Sequence, residues 1–263
     1  MSAGLFIFLE FRVKMKTLAI IPAGGSGTRM GGDIPKQYLM LGGIPILVHT
    51  LMAFQQASLV DDVCLVLPEE DVRKAPQKIL SPYHLTKVNK VLTGGERRQD
   101  SVKRGVDLLS SDYDLVVIHD GVRPFISPAI INAAVKEAAR YQAVTVGLPV
   151  TDTIKKVDGH GCVSETVNRD HLWLTQTPQV FSAPLLKKAY ESAYADHYYG
   201  TDDAALVERI GGKVIMIIGS YYNIKITTAT DLEWGELILK KRLSQDSISS
   251  QEAQSGDTGR RIK

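Results

Sequence analysis

The chain has 263 residues and is 44% hydrophobic, long enough for one large α/β domain or two small ones and apolar enough to fill a core. Its 31 basic and 29 acidic residues are interspersed and leave a formal charge of +2, so no basic face points to nucleic acid or an anionic membrane. The two cysteines, Cys64 and Cys162, lack CxxC spacing, which argues against a zinc or redox pair and suits a reducing cytoplasm.

The segment Gly4 to Leu9 is apolar, but Glu10 and Arg12 interrupt it well short of the roughly 20 residues that span a bilayer. It also lacks the basic lead and small-residue cleavage site of a signal peptide. Residues 1–15 are therefore expected to form a poorly ordered extension, with Met15 as the natural start. Strand-length apolar runs follow at Leu18–Ile21, Val63–Leu67, Val88–Leu92, Leu115–Ile118 and Ala143–Leu148. Helical periods lie between them at Ile46–Gln56, Glu69–Ile79, Asp100–Leu109 and Pro128–Tyr141, the last with Ser127 as N-cap and Pro128 in the first position. Near-continuous apolar strands separated by helices predict a doubly wound α/β fold, with a mostly parallel sheet buried on both faces.

At Thr151 the rhythm breaks. Thr153–Val157 and Val163–Val167 alternate polar and apolar residues around Asp158-Gly-His-Gly161, which predicts a β-hairpin arm over about 151–169. An exposed arm needs something to pack against, and a second subunit is an economical candidate. Helices are expected again at Ala183–Ala195, at Asp202–Ile210 capped by Thr201, and at Asp231–Arg242 capped by Thr230, with a strand at Lys213–Ile218. The main domain is thus placed at 16–242, and the Ser-, Gln- and Gly-rich residues 243–263 are expected to be a flexible tail.

The strongest local signal is Pro22-Ala-Gly-Gly-Ser-Gly-Thr-Arg-Met30, directly after the first strand and followed by Pro35-Lys36-Gln37. Three glycines in four positions let backbone N–H groups turn inward as a nest for phosphate oxygens, although a plain glycine turn would look the same. A P-loop is excluded because no Gly-Lys-Ser/Thr ending follows, and the dinucleotide pattern GxGxxG from Gly25 would need glycine at Met30. The loop's chemical content is two cations, Arg29 and Lys36, the means by which a site neutralises a polyphosphate during transfer.

The second signal is Val116-Val-Ile-His119-Asp120-Gly121-Val122-Arg123-Pro124, a buried strand ending in a carboxylate. In open α/β sheets ligands collect at such strand ends, so Asp120 is expected to face the crevice beside Gly24 and to hold Mg²⁺ against nucleotide phosphates. The alternatives are an Asp that caps the next turn or pairs with Arg123, and His119 reads better as a packed strand-end residue than as a base. Gly94-Gly-Glu-Arg-Arg-Gln-Asp-Ser101 again joins a strand to a helix, with Asp100 or Ser101 placed to cap it. Arg169 and Lys225 are cations near strand ends with no acidic neighbour in sequence, and each alone reads more readily as a solvated surface charge than as a ligand contact.

Taken in order, PAGGSGTRM, PKQY, GGERRQDSV, HDGVRP, NRDHLWLTQTPQVF, TDDAA and NIKIT make the chain resemble the 2-C-methyl-D-erythritol 4-phosphate cytidylyltransferases of the non-mevalonate isoprenoid pathway, from about Lys16 to Arg242. The resemblance implies a Rossmann-like nucleotidyltransferase domain in which the phosphate of methylerythritol phosphate attacks the α-phosphorus of CTP and pyrophosphate leaves. It implies catalysis with Mg²⁺ or another divalent cation bound by Asp120, and a cytoplasmic homodimer formed through the arm. Arg29 and Lys36 would stabilise the transferring phosphate. Arg169, reaching in from the partner's arm, and Lys225 would hold the acceptor phosphate. Ala23, Gly24, Gly25, Gly95 and Ser101 would line the cytidine pocket, with Thr153 and Thr177 as further acceptor contacts. Tyr222 stands where some relatives carry an acidic residue, so no second carboxylate is assigned to the metal. A ribitol 5-phosphate cytidylyltransferase would share the loop and HDxVRP motifs, and a non-catalytic nucleotide-binding module is the alternative from another class.

The chemistry of the acceptor fits independently. A phosphate monoester is already largely a dianion near neutral pH, so what must be overcome is repulsion between anions rather than the lack of a base.

Overall fold

A computed structural model describes residues 15–24 and 34–256. The expected N-terminal extension, except Met15, and the loop positions Gly25 and Arg29 lie outside the described residues, as do 257–263. The strands are β1 (Thr17–Pro22), β2 (Met40–Leu41), β3 (Ile44–Pro45), β4 (Asp62–Leu67), β5 (Val88–Thr93), β6 (Leu115–Ile118), β7 (Ala143–Pro149), β8 (Ile154–Val157), β9 (Val163–Val167), β10 (Trp173–Ser182) and β11 (Ile215–Ile218). The helices are α1 (Ile46–Gln56), α2 (Glu69–Val72), α3 (Arg98–Val106), α4 (Pro128–Tyr141), α5 (Ala183–Ala195), α6 (Asp203–Arg209) and α7 (Ala229–Gly256). None of the described helices is long and apolar enough to cross a membrane.

Seven strands form one sheet in the order β11-β7-β10-β6-β1-β4-β5, every neighbouring pair parallel except those made by β10. The continuous apolar runs are explained by burial on both faces. In β1, Ala19 and Ile21 enter the core layer shared with α1 and α4, while Leu18 and Ile20 enter the layer beneath α3, α5 and α6. A third, smaller cluster of Leu41, Ile46, Val122, Phe125, Ile226 and Ile238 ties α7 and the β2–β3 hairpin to the loop after β6. Chain order turns back between β1 and β6. The connection from β1 leads to β4, that from β6 leads away to β7, and a crevice opens where the two part.

Several boundaries differ from the sequence reading. The helix expected over Glu69–Ile79 stops at Val72 and gives way to a π-turn at Pro76–Leu80, because Pro76 has no N–H for the carbonyl of Val72 and its ring crowds that carbonyl. Helix α3 starts two residues early: Asp100 is not the cap but accepts the Arg97 N–H from the third helical position at 2.9 Å. Asp202, not Thr201, caps α6 by accepting the Ala205 N–H at 3.0 Å. Thr228, not Thr230, opens α7, its N–H donating to Asp231 while the Asp231 N–H donates back to its hydroxyl. The same helix runs to Gly256 instead of ending at Arg242, since no proline or glycine interrupts residues 243–255. The antiparallel strand β10 is absent from the sequence reading. The arm is present as expected, with β8 and β9 pairing only with each other and turning at Asp158–Gly161.

Helix α3 lies on β1 through Gly105, where a methyl group would come within 2.8 Å of the buried Ile20 side chain. Alanine would gain about 1 kcal/mol of helix propensity against about 1–3 kcal/mol of overpacking. Gly105→Ala is expected to destabilise the fold by up to about 2 kcal/mol in urea denaturation, and Ile20→Val in the same chain to restore part of the loss.

Candidate active site

The strand ends at the crevice are brought into register by backbone bonds. The Ala23 N–H donates to Val66 O at 2.8 Å, Gly94 N–H to Leu67 O at 2.8 Å and Gly121 N–H to Pro22 O at 3.2 Å. The loops after β1, β5 and β6 therefore converge. Gly121 has no room for a side chain, since a Cβ there would lie 2.9 Å from that of Ala23. On this side the structure gathers Ala23, Gly24, Gly95 and Ser101, whose hydroxyl accepts the Gly95 N–H at 3.1 Å.

On the other side opens a cleft of about 300 Å³ lined by Arg98, Asp120, Arg123, Thr175, Gln176, Thr177, Gln179, Thr201, Asp202 and Lys225. Asp120, at the end of β6, is only 6% exposed. Its Oδ1 accepts from Arg98 Nε at 2.9 Å, and its Oδ2 from Lys225 Nζ at 2.9 Å and Arg123 Nε at 3.4 Å. Burial alone would raise its pKa, but Arg98, Lys225 and Arg123 together hold the carboxyl far below the usual carboxylate range. Burial also works against the charge on Arg98, yet Asp203 and Asp120 hold its pKa above the ordinary value. With Asp203, bonded to Arg98 Nη1 at 2.8 Å, three cations face two carboxylates, and one positive charge is left over beside the cleft.

The backbone of the two outer cations is set by their apolar neighbours. Val122 and Ile226 are buried in the third core cluster, and the Ile226 N–H donates to Val122 O at 2.9 Å. This carries Arg123 and Lys225 into the cleft side by side, and Arg123 Nη1 donates to Asn223 O at 2.9 Å. Asn223 in turn donates to Thr177 O at 2.8 Å and to Gln176 Oε1 at 3.1 Å, tying the Lys225 stretch to β10.

His119 is fully buried, and that burial lowers its pKa to about 3, so the ring is neutral at pH 7. Its hydrogen bonds admit one assignment. Nε2–H donates to Arg123 O at 3.3 Å, the Thr177 hydroxyl donates to Nδ1 at 3.0 Å, and the Asp120 N–H donates to Thr177 Oγ1 at 3.1 Å. His119 is thus a packed strand-end residue, and it fixes Thr177, which fixes the backbone of Asp120.

Of the expected residues, Asp120, Lys225 and Thr177 line this cleft, with Ala23, Gly24, Gly95 and Ser101 on the adjoining rim. Lys36 begins a single 3-10 turn, Lys36–Tyr38, and lies outside the cleft lining. Arg169 and Thr153 are exposed at the foot of the arm and are not among the residues lining this chain's own cleft, and Arg169 donates to Thr151 O. Asp120, expected to hold Mg²⁺, has both its oxygens engaged by cations in this structure, and the described residues hold no group of three or more His, Cys, Asp or Glu side chains that could bind a metal ion. Mg²⁺ commonly takes one or two carboxylates and completes its shell with substrate phosphates and water, so a lone Asp120 fits such an ion only together with the nucleotide. It also anchors cations, including the Arg123 that the sequence offered as an alternative partner. Arg98 and Asp203 were not singled out in the sequence, though both lie inside quoted motifs.

The family model for 2-C-methyl-D-erythritol 4-phosphate cytidylyltransferase matches residues 17–241. A protein of that name from Syntrophus aciditrophicus (strain SB) is 46% identical over 229 residues, 87% of this chain and 98% of its own. Its namesake from Clostridioides difficile (strain 630) is 46% identical over 233 residues, 88% and 96% of the two chains. Among solved structures, the 4-diphosphocytidyl-2C-methyl-D-erythritol synthase of Anaerococcus prevotii DSM 20548 superposes with a TM-score of 0.76 at 32% identity, covering 86% of this chain and 97% of that one. The 2-C-methyl-D-erythritol 4-phosphate cytidylyltransferase of Thermus thermophilus gives 0.72 at 32% identity, covering 86% and 100%.

The depressed pKa of His119 has a sign. As pH falls, the unfolded chain takes up the proton first, near 6.5, so this contribution to stability is complete above that value and is lost progressively towards 3. Unfolding free energy from urea titrations is expected to be about 2 kcal/mol smaller at pH 5 than at pH 7 on this account. His119→Gln should flatten that difference, and an undiminished difference in the variant would count against the assignment.

Proposed function

The chain belongs to the 2-C-methyl-D-erythritol 4-phosphate cytidylyltransferase family, and we propose that the cleft around Asp120 is the acceptor half of its active site. The enzyme transfers CMP from CTP to 2-C-methyl-D-erythritol 4-phosphate, giving 4-diphosphocytidyl-2-C-methyl-D-erythritol and pyrophosphate, a step of isoprenoid precursor biosynthesis. The observation that carries the site reading is the cation cluster of Arg98, Arg123 and Lys225 on one buried carboxylate, beside the Ala23–Gly24 turn at the switch point of the sheet.

In this reading CTP lies across the carboxyl ends of β1 and β5, its base against Ala23, Gly24, Gly25, Gly95 and Ser101. Arg29 and Lys36 stabilise charge on the α-phosphate as the acceptor oxygen attacks in line and pyrophosphate departs. The acceptor phosphate is held by Lys225 and by Arg169. Thr153 at the foot of the arm accompanies Arg169, whereas the Thr177 hydroxyl, committed to His119 and Asp120, supports the wall of the cleft. No general base is invoked, because the attacking group is already anionic. A divalent cation, Mg²⁺ in this reading, would supply charge screening for the triphosphate, and the groups that would hold it are the nucleotide phosphates and Asp120.

Arg169 is not among the residues lining its own chain's cleft, and the reading includes a homodimer in which each arm serves the partner's site. Interspersed surface charge supports small-molecule substrates without nucleic acid, and the two free thiols, buried Cys64 and exposed Cys162, support a cytoplasmic setting. The names of the relatives favour methylerythritol phosphate over ribitol 5-phosphate as acceptor.

Lys36→Ala and Arg29→Ala should each lower kcat by about 10²–10³ in a pyrophosphate-release assay with CTP and methylerythritol phosphate. Full turnover in either variant would overturn the catalytic assignment. Mixing Lys36→Ala with Arg169→Ala chains tests the shared site. Random pairing leaves one intact site in each mixed dimer and restores up to about a quarter of wild-type activity, whereas a mixture no more active than its parents would refute trans contribution.

A further inference from the structure

Arg98 opens α3, and its planar guanidinium uses two edges. Nε donates to Asp120 Oδ1 at 2.9 Å and Nη1 to Asp203 Oδ2 at 2.8 Å. These two carboxylates belong to different elements, the end of β6 and the first turn of α6, and both are buried. Asp203 is rigidly held. The Tyr190 hydroxyl donates to its other oxygen, and its own N–H donates to Gln179 Oε1 at 3.1 Å. Gln179 is fixed in β10 by donating to Thr145 Oγ1 at 3.0 Å and Asp202 Oδ2 at 2.8 Å. The chain of bonds thus runs from the sheet through Asp203 and Arg98 to Asp120, and ends on Lys225 at 2.9 Å.

We propose that Arg98 is a positioning residue for the acceptor: it clamps Asp120 against Asp203, so that Asp120 presents Lys225 to an incoming phosphate dianion. The inference rests on the assignment of Lys225 to the acceptor phosphate. With Oδ1 satisfied by Arg98, Asp120 shares only Oδ2 with Lys225 and Arg123, and the ammonium keeps donors for a ligand. Without Arg98, Asp120 answers to Lys225 and Arg123 alone and draws both inward, while Asp203 becomes a buried carboxylate with no cation. A lysine at position 98 could reach one carboxylate but lacks the fork that holds two. The residues assigned to cytidine, Ala23, Gly95 and Ser101, make no hydrogen bond to Arg98, so the effect falls on one substrate.

The test is steady-state kinetics on the full chain with both substrates varied. Arg98→Met alone leaves Asp203 charged and uncompensated, so the informative variants are Arg98→Met/Asp203→Asn, which removes both charges, and Arg98→Lys. Each is expected to raise KM for methylerythritol phosphate about tenfold while KM for CTP moves less than about twofold. In a Lys225→Ala background, which itself raises the acceptor KM, the Arg98→Met/Asp203→Asn exchange should add no further increase. A double variant with a wild-type circular dichroism spectrum and melting transition but an unchanged acceptor KM would overturn the inference. So would equal rises in both KM values, or full rescue by lysine. If Lys225→Ala leaves the acceptor KM unchanged, the acceptor reading itself fails and this inference falls with it. If Lys225→Ala raises that KM and the Arg98 variants do not, the role of Arg98 alone is refuted.

Discussion

A single carboxylate, Asp120, organises the charged half of this molecule. Three cations drawn from three distant stretches of chain meet on its two oxygens, and none of them would sit this close to the others without it. The carboxylate in turn depends on them, because a buried and unpaired Asp would give up its charge. The result is a preassembled cationic pocket at the point in the sheet where chain order turns back between β1 and β6. Binding a phosphate there requires no new charges to be gathered, only a redistribution of those already present.

The polar cluster is aligned by apolar contacts. Val122 precedes Arg123 and Ile226 follows Lys225, and the two apolar residues pack in one cluster with Phe125 and Ile238. Helix α7, none of whose described side chains lines the cleft, therefore fixes the position of its cations through Ile238. On the opposite wall, the neutral ring of His119 does the same by hydrogen bonding, passing the orientation of the Arg123 carbonyl to Thr177 and on to the Asp120 backbone. Two residues that look catalytic by type, a histidine and a threonine, are there to hold the frame.

The parallel strands and the helices α1, α4 and α5 were legible because burial on both faces leaves unbroken apolar runs, and because Ser127-Pro128 is a sharp start signal. Strand β10 was not. Its first half, Trp173 to Thr177, rises past the end of β6 to wall the cleft, so it carries polar residues where a strand of this sheet is otherwise apolar. Its register is interrupted between Thr175 and Gln179, around Pro178, as well. Arg98 was invisible for another reason. Arg97 and Arg98 are adjacent and identical in type, yet one stacks on the Tyr199 ring and the other reaches Asp120 and Asp203. Only the phase of α3, shifted by two residues from the expected start, separates them. The cation cluster on Asp120 was hidden as well, because an acidic residue at a strand end reads alike whether it binds an ion or a set of side-chain cations.

The antiparallel course of β10 also decides where the arm can be. Strand β7 ends at the same edge of the sheet as β1 and β6, and β10 must begin at that edge to run back between them, so everything inserted from Val150 to Leu172 emerges at the rim of the cleft. Because β8 and β9 pair only with each other, residues can be added to or removed from the hairpin in cross-strand pairs, each changing its length by about 3.4 Å, with no change of register in the seven-stranded sheet. Reach is therefore a variable separate from the fold, and the distance over which this edge can touch another surface can drift without the pocket having to be rebuilt.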